Sequence, residues 1–384
     1  MLSRRLGAPL VSELDGGILA STALLAGLGT VMIYSTTAPL TMDSALPPHF
    51  LRHLLGLVLG ALLLVVGLQV PLAAWRRVAL PIWGLSVLLL VATLAFGVEA
   101  NGARRWLAVP GLGISLQPSE LARFATPLAV ASLLADAKPG NPRVLGLCLA
   151  LTAAPVLLLL LQPDLGSAAL LAVLVGALLF VAGIPLRSLG LLALAGLLGI
   201  ASYVALRPYA LARWKGFLAP WQSARNEGFQ LVQSFVAFGR GGTFGVGLGD
   251  GRQKLSYLPE AHTDFILSVV AEELGLVGVL VVLGAFSALA LAGLRVAGRA
   301  RSPFAMLVAF AMTALVALPA AINAAVAMGL LPTTGFTLPF LSFGSNSLVM
   351  CALAIGILLR TGAVDAPANP PSIGTRALRR WRTR

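Results

Sequence analysis

Long apolar runs separated by short polar breaks dominate the chain. A helix needs about 20 predominantly apolar residues to cross a bilayer. On that criterion about ten stretches qualify, near 16–37, 50–70, 77–97, 118–135, 143–161, 164–183, 187–206, 264–294, 303–328 and 338–361. The pattern predicts an all-α, polytopic integral membrane protein with about ten transmembrane helices. Short basic connections at 71–76, 136–142, 184–187 and 295–302 alternate with those at 38–49, 98–117, 162–163, 207–263 and 329–337. Only 207–263 is long and non-apolar, which predicts a large loop between the seventh and eighth spans.

Basic residues set the orientation, because Arg and Lys concentrate on cytoplasmic loops. With the N-terminus inside, inner segments hold Arg4, Arg5, Arg76, Arg77, Lys138, Arg143, Arg187, Arg295, Arg299, Arg301 and the six arginines from Arg360 to Arg384. Outside the long loop, the outer side holds Arg52, Arg104, Arg105 and Arg123, a bias of sixteen to four. Both termini are therefore expected in the cytoplasm and residues 207–263 outside it. Residues 1–362 form one transmembrane domain on this reading, and 363–384, Pro-rich and then Arg-rich, a disordered basic cytoplasmic tail. Glu13 and Asp15 precede a first span too long for a signal-peptide core, so the N-terminus is expected to be retained.

Composition agrees with a membrane protein: 58% of residues are hydrophobic, 11% are charged, and mean hydropathy is +0.93. In that setting the formal charge of +13 reflects topology and contact with anionic lipid or a phosphorylated substrate, not nucleic acid. Cys148 and Cys351 lie in apolar runs and read as packing. His49, His53 and His262 lack ligand spacing, and without a Walker-type loop no nucleotide cofactor is expected.

Parity then gathers the chemistry. The fourth, sixth, eighth and tenth spans all begin outside, which brings Glu120, Asp164, Asp264 and Pro339-Phe-Leu-Ser342 to one membrane face. Ionisable groups near hydrocarbon cost about 2.5–3.5 kcal/mol on insertion scales, so each marks a partner or a path. Gln117-Pro-Ser-Glu120 and Gln162-Pro-Asp164 both read as a Pro at the first helical position with an acid in the first turn. Glu120 and Arg123 are three residues apart and can pair. Helix capping with a structural ion pair is the alternative for Glu120, and capping alone for Asp164. Glu272 and Glu273 are adjacent, about 100° apart on a helix, so at most one is expected to line a site and both are read as structural. Within the long loop, 207–221 mixes aromatic and basic groups as an interfacial helix does. Residues 226–257 are Gly-rich and polar. There, backbone N–H groups with Arg240, Arg252 and Lys254 would suit a phosphate or pyrophosphate, and a generic flexible loop fits the composition equally well.

Taken in order, several motifs carry a family resemblance. They are Asn101-Gly-Ala-Arg104-Arg105-Trp106, Gln117-Pro-Ser-Glu120-Leu-Ala-Arg123, Gln162-Pro-Asp164-Leu-Gly, Gly228-Phe-Gln-Leu-Val-Gln-Ser234, Leu258-Pro-Glu-Ala-His-Thr-Asp264-Phe-Ile with Glu272-Glu-Leu-Gly275, and Pro332-Thr-Thr-Gly-Phe-Thr-Leu-Pro-Phe-Leu-Ser342-Phe-Gly344. Across about residues 10–362 the chain resembles the FtsW/RodA, or SEDS, family, and Arg252-Gln-Lys254 with Leu258-Pro-Glu-Ala-His is closer to its division branch than to its elongation branch. Two departures stand out: Arg123 replaces the usual Lys, and Ser342-Phe-Gly-Ser345-Asn346-Ser347 replaces Ser-Tyr-Gly-Gly-Ser-Ser.

The resemblance implies a peptidoglycan glycosyltransferase of septal cell-wall synthesis, polymerising lipid II at the outer face of the cytoplasmic (inner) membrane. It implies a class B penicillin-binding protein and other divisome membrane proteins as partners. The family's essential acid maps to Asp264, and its Pro-Ser-Glu acid to Glu120. Single displacement at an α-linked donor needs one base for the acceptor hydroxyl, assigned to Asp264, and positive charge on the departing pyrophosphate. For that charge the candidates are Arg104, Arg105, Arg123, Arg240, Arg252 and Lys254, with Ser342 as a further substrate contact. A divalent cation, Mg or Mn, is also implied, with Glu120 or Asp164 assisting it. The rival expectations are a lipid II flippase or transporter, a scaffold, and an elongation-branch polymerase.

Overall fold

The computed structural model describes residues 14–40, 46–100, 102–109, 114–138 and 140–365. The expectations of a retained N-terminus and of a disordered tail fall on residues 1–13 and, for the most part, 366–384, which lie outside the described residues, as does Asn101.

Each apolar stretch coincides with a helix: α1 (Gly16–Thr37), α2 (Pro48–Gln69), α3 (Leu72–Phe96), α4 (Pro118–Leu134), α5 (Pro142–Leu161), α6 (Leu165–Val181), α7 (Leu186–Leu206), α10 (Ile266–Arg299), α11 (Pro303–Ala327) and α12 (Ser345–Asp365). Eight of these are long and apolar enough to cross a membrane, and α4 and α6 have 17 residues each. The protein is therefore a multi-pass membrane protein. Helix α4 stands at its centre, with every residue buried except Leu121, Ser132 and Leu133. Helix α7 is the opposite case, with no buried residue at all.

Helices in lipid associate through close backbone approach at small residues, and α2 and α12 do so along their length. A Cβ at Gly67 would lie 2.6 Å from the Leu353 carbonyl oxygen, and one at Gly60 2.7 Å from Leu348 Cδ2. Arg360, fully buried on α12, completes the seam by donating from Nη1 to the carbonyls of Leu68 (2.8 Å) and Gln69 (2.9 Å). Those carbonyls end α2 without intrahelical partners, at the negative end of its dipole, so a guanidinium suits the position.

Four local expectations are corrected. The connection 98–117 carries a small antiparallel sheet, β1 (Val98–Ala100), β2 (Ala103–Val109) and β3 (Ile114–Leu116), in that order. The last helix begins at Ser345, not near Pro339, because Phe340 takes a positive φ of 65° and the backbone of 338–344 turns back toward residues 262–263. Pro163 lies before the cap of α6, so the helix starts at Leu165 with Asp164 as its N-cap. In the long loop, 207–221 does form a helix, α8 (Pro208–Leu218), but 229–241 is also helical, as α9 (Phe229–Gly241), and irregular turns follow before a short π-helical turn at Gln253–Tyr257.

Those following residues repair a break in α10. At Gly275 the backbone leaves the helix (φ 66°, ψ −163°), a conformation open in practice only to glycine. The broken hydrogen bonds are replaced by strand-like ones from 242–247: Val246 N–H donates to Glu272 O (3.0 Å) and Gly247 N–H to Glu273 O (3.2 Å), while Leu276 and Val277 donate to the carbonyls of Gly242 (2.9 Å) and Thr243 (3.1 Å). Buried backbone needs such partners. The glycines of this stretch thus serve backbone packing; the Val246 and Gly247 N–H groups are spent on α10 and are not open to an anion.

Gly275→Ala should lower thermal stability in detergent sharply, since the added Cβ meets the 242–247 backbone and the φ is strained. Gly284→Ala, on the same helix with open space around it, should leave the melting temperature unchanged or slightly raised.

Candidate active site

Segment 332–344, between α11 and α12, is the hub of the site. Asp264 lies two residues before α10, in a turn whose three successive carbonyls each receive a hydrogen bond from elsewhere in the chain. Phe343 N–H donates to His262 O (2.8 Å), Ser342 Oγ to Thr263 O (2.5 Å) and Asn323 Nδ2 to Asp264 O (2.7 Å). The side chain of Asp264 faces exposed Gly335, where a Cβ would stand 3.4 Å from Oδ2.

The same segment reaches the other predicted acids. Glu120 and Arg123 pair within the first turns of α4, both buried, and the Arg123 guanidinium lies 5.7 Å from the Phe336 ring centroid. Gly166, at the start of α6, packs against the Thr334 carbonyl and the Phe336 ring at 3.2 and 3.3 Å from a notional Cβ. Asp164 Oδ1 caps α6 by accepting from Ser167 N–H (3.1 Å), which is its capping reading; it is also close enough to act electrostatically on Arg123. The starts of α4, α6 and α10 thus converge on residues 334–336.

Strand alternation divides the two arginines of β2, since successive side chains point to opposite faces. Arg105 turns inward, donating to the carbonyls of Gln162 (3.4 Å) and Pro163, and its charge is felt at Asp264. Arg104 turns outward to an exposed ion pair with Glu99 at 3.7 Å. Of these two candidates for charge on the pyrophosphate, Arg105 faces the site and Arg104 points away from it.

Arg240 and Lys254 are likewise removed from the phosphate role. Arg240 donates to Glu272 (2.8 Å), and buried Lys254 donates to Glu273 (2.7 Å) and Ser35 (2.9 Å). Arg252 exposes its side chain, and its backbone N–H, with that of Gln253, goes to Glu272, both at 3.0 Å. This ionic knot sits roughly 9 Å down α10 from its start, at 1.5 Å per residue. Both carboxylates converge on Gly251, within 2.8 and 3.0 Å of a notional Cβ. The two glutamates leave α10 in different directions, yet the 249–254 loop wraps the helix far enough to hold both. Their structural reading holds. Ser342 is also reassigned: it is 3% exposed and spends its hydroxyl on Leu338 N–H and Thr263 O, so it supports the Asp264 turn from behind.

One charged neighbour of Asp264 was not among the sequence candidates. Arg213 of α8 donates to Thr333 O (3.0 Å), stacks 4.7 Å from the Tyr209 ring, and places positive charge beside Asp264. Its only signal was membership of an amphipathic aromatic-basic run.

These surroundings set the titration of Asp264. Burial, reinforced by the Glu260 carboxylate, pushes its carboxyl from the ordinary 3.8 up to about 6, against the opposing pull of Arg213, a hydrogen bond from Thr263 and Arg105. An acid so placed is ionised at neutral pH yet basic enough to accept a proton.

Residues 17–365 match the FTSW_RODA_SPOVE family, described as cell cycle protein. A probable peptidoglycan glycosyltransferase FtsW of Coxiella burnetii is 40% identical over 357 residues, covering 90% of this chain and 95% of the relative. That of Halomonas elongata is 39% identical over 355 residues, covering 90% and 89%. Among solved structures, a chain from work on the structural coordination of polymerization and crosslinking by a peptidoglycan synthase complex superposes with a TM-score of 0.77 at 32% identity, covering 91% of this chain and 97% of that one. The rod shape determining protein RodA of Thermus thermophilus gives 0.69 at 29%, covering 92% and 98%.

Glu260→Gln removes a like charge and should move the Asp264 ionisation to lower pH, whereas Arg213→Gln removes an opposite charge and should move it higher. The carboxyl stretch in pH-difference infrared spectra, identified by its loss in Asp264→Asn, measures both.

Proposed function

The chain belongs to the FtsW/RodA/SpoVE family of cell cycle proteins, and from that premise we propose that it is a peptidoglycan glycosyltransferase polymerising lipid II during septal wall synthesis. The observation that carries this reading is Asp264: a half-buried carboxylate with a raised titration point, flanked by Arg213 and Arg105 where three helix starts meet. The site belongs to the outer face of the cytoplasmic membrane, with both termini in the cytoplasm. The sixteen-to-four distribution of basic residues supports that orientation. A class B penicillin-binding protein is its partner, a pairing supported by likeness to a chain of a peptidoglycan synthase complex.

In the reaction, Asp264 removes the proton from the acceptor sugar 4-hydroxyl as its oxygen bonds to the donor anomeric carbon. The bond from that carbon to the lipid pyrophosphate breaks, and the α-linkage becomes β. Arg213, Arg105 and Arg123 stabilise the charge that develops on the leaving pyrophosphate; Arg123 keeps its Nε–H without a partner. Glu120 holds Arg123 in place.

The described residues do not build a dedicated cation site: no three His, Cys, Asp or Glu side chains gather among them, Glu120 is engaged by Arg123 and Asp164 by its cap. Magnesium or manganese, which retain waters and favour phosphate oxygens, would arrive with the substrate pyrophosphate.

Purified protein, alone and with its partner, should convert lipid II into glycan, and Asp264→Asn should not. The wild-type rate should fall about tenfold per pH unit below about 6, where the base becomes protonated. The raised titration point also means that the folded state binds this proton more tightly than the unfolded chain. Wild-type stability therefore decreases as pH rises from 3.8 toward about 6. Asp264→Asn should accordingly melt no lower than wild type at neutral pH, which separates lost chemistry from lost fold. Glycan synthesis by Asp264→Asn would rule out this base; movement of labelled lipid between leaflets without glycan would favour a flippase.

A further inference from the structure

Asn323 is the single amide side chain of α11, and the chemistry above gives it no part. An amide is costly to bury in an apolar helix without partners, so its partners indicate its purpose. With 1% exposure, it donates from Nδ2 to two main-chain carbonyls on different segments, Asp264 O at 2.7 Å and Phe336 O at 2.5 Å. The reversed amide would aim Oδ1 at both carbonyl oxygens, so chemistry fixes the orientation. Oδ1 itself is buried without a partner. Asn323 is thus kept for what it donates.

We propose that Asn323 is a positioning residue, whose amide fixes the distance between the base Asp264 and the Arg123–Glu120 pair. The connection is direct. One Nδ2 hydrogen holds the backbone that carries the Asp264 carboxylate, and the other holds Phe336, whose ring lies against Arg123. Ser342 and Phe343 tie down the carbonyls of Thr263 and His262, but neither touches Phe336 in doing so. Asn323 alone of the three donors spans base and cation. The proposal rests on Asp264 being the base, and displacement of a reacting group by about 1 Å can cost on the order of 100-fold in rate.

The test compares wild type, Asp264→Asn, Asn323→Leu and Asn323→Asp in lipid II polymerisation, each as monodisperse full-length protein. Asn323→Leu keeps the branching at Cγ and removes both donors. Its kcat should fall on the order of 100-fold, with KM for lipid II within about twofold of wild type. Asn323→Asp is isosteric and can donate only when protonated. Its rate should decline with rising pH as that carboxyl ionises, whereas the wild-type rate rises with pH to a plateau as Asp264 ionises. Wild-type kcat and an unchanged pH profile in both variants would overturn the proposal. Failure of both variants to fold would also overturn it, by making the amide a folding requirement. Activity in Asp264→Asn would instead remove the base assignment itself, an outcome distinct from inactive Asp264→Asn beside fully active Asn323→Leu.

Discussion

Non-helical backbone inside a membrane protein survives only where other protein groups satisfy its hydrogen bonds, and residues 332–344 exist under that constraint. Their route past the starts of α4, α6 and α10 exposes carbonyls and N–H groups that no helix completes. Asn323 and Arg213 supply the missing donors at Phe336 and Thr333, and Ser342 Oγ takes up Leu338 N–H while donating to Thr263 O in the facing turn. The same bonds bring the acid-bearing turn, the aromatic ring beneath Arg123 and the cap of α6 into one place. Chemistry and backbone satisfaction are solved together, so the polar side chains nearest the site are mostly committed to main-chain atoms.

A second consequence concerns the distribution of charge. Two carboxylates, Glu272 and Glu273, are saturated by Arg240, Lys254, Ser35 and three backbone N–H groups of the 249–254 loop. Breaking a buried pair of this kind is expensive because it strands the remaining charge, so the knot anchors the loop to α10 and α1. Asp264 is treated differently: its arginines are near but occupied by carbonyls, and burial outweighs them. The fold thus spends its best counter-charges on holding the loop and leaves Asp264 under-compensated.

Much of this was legible in the residues and some was not, for identifiable reasons. Length and hydropathy placed a helix at each apolar stretch, and parity grouped Glu120, Asp164 and Asp264, because these signals are local or additive along the chain. Arg240 and Lys254 misled because a basic residue in a Gly-rich loop looks the same whether or not a glutamate 32 or 19 positions onward neutralises it. Arg104 and Arg105 were separable only once β2 was known to be a strand. Pro339 marked a helix start that the positive φ of Phe340 displaced to Ser345. Asn323 was not singled out from the sequence, because its two acceptors lie 59 and 13 residues away, beyond any spacing rule.

The glycines divide into two populations with different evolutionary prospects. Along the α2–α12 seam, Gly60, Gly67 and Gly356 abut side chains or backbone so closely that even a methyl group has no place. Gly190, Gly196 and Gly199 on α7 meet nothing within 4 Å, and lipid will accommodate whatever apolar residue replaces them. Drift should therefore accumulate on one flank of the bundle and be purged on the other, so that α7 diverges between lineages while the seam opposite stays frozen.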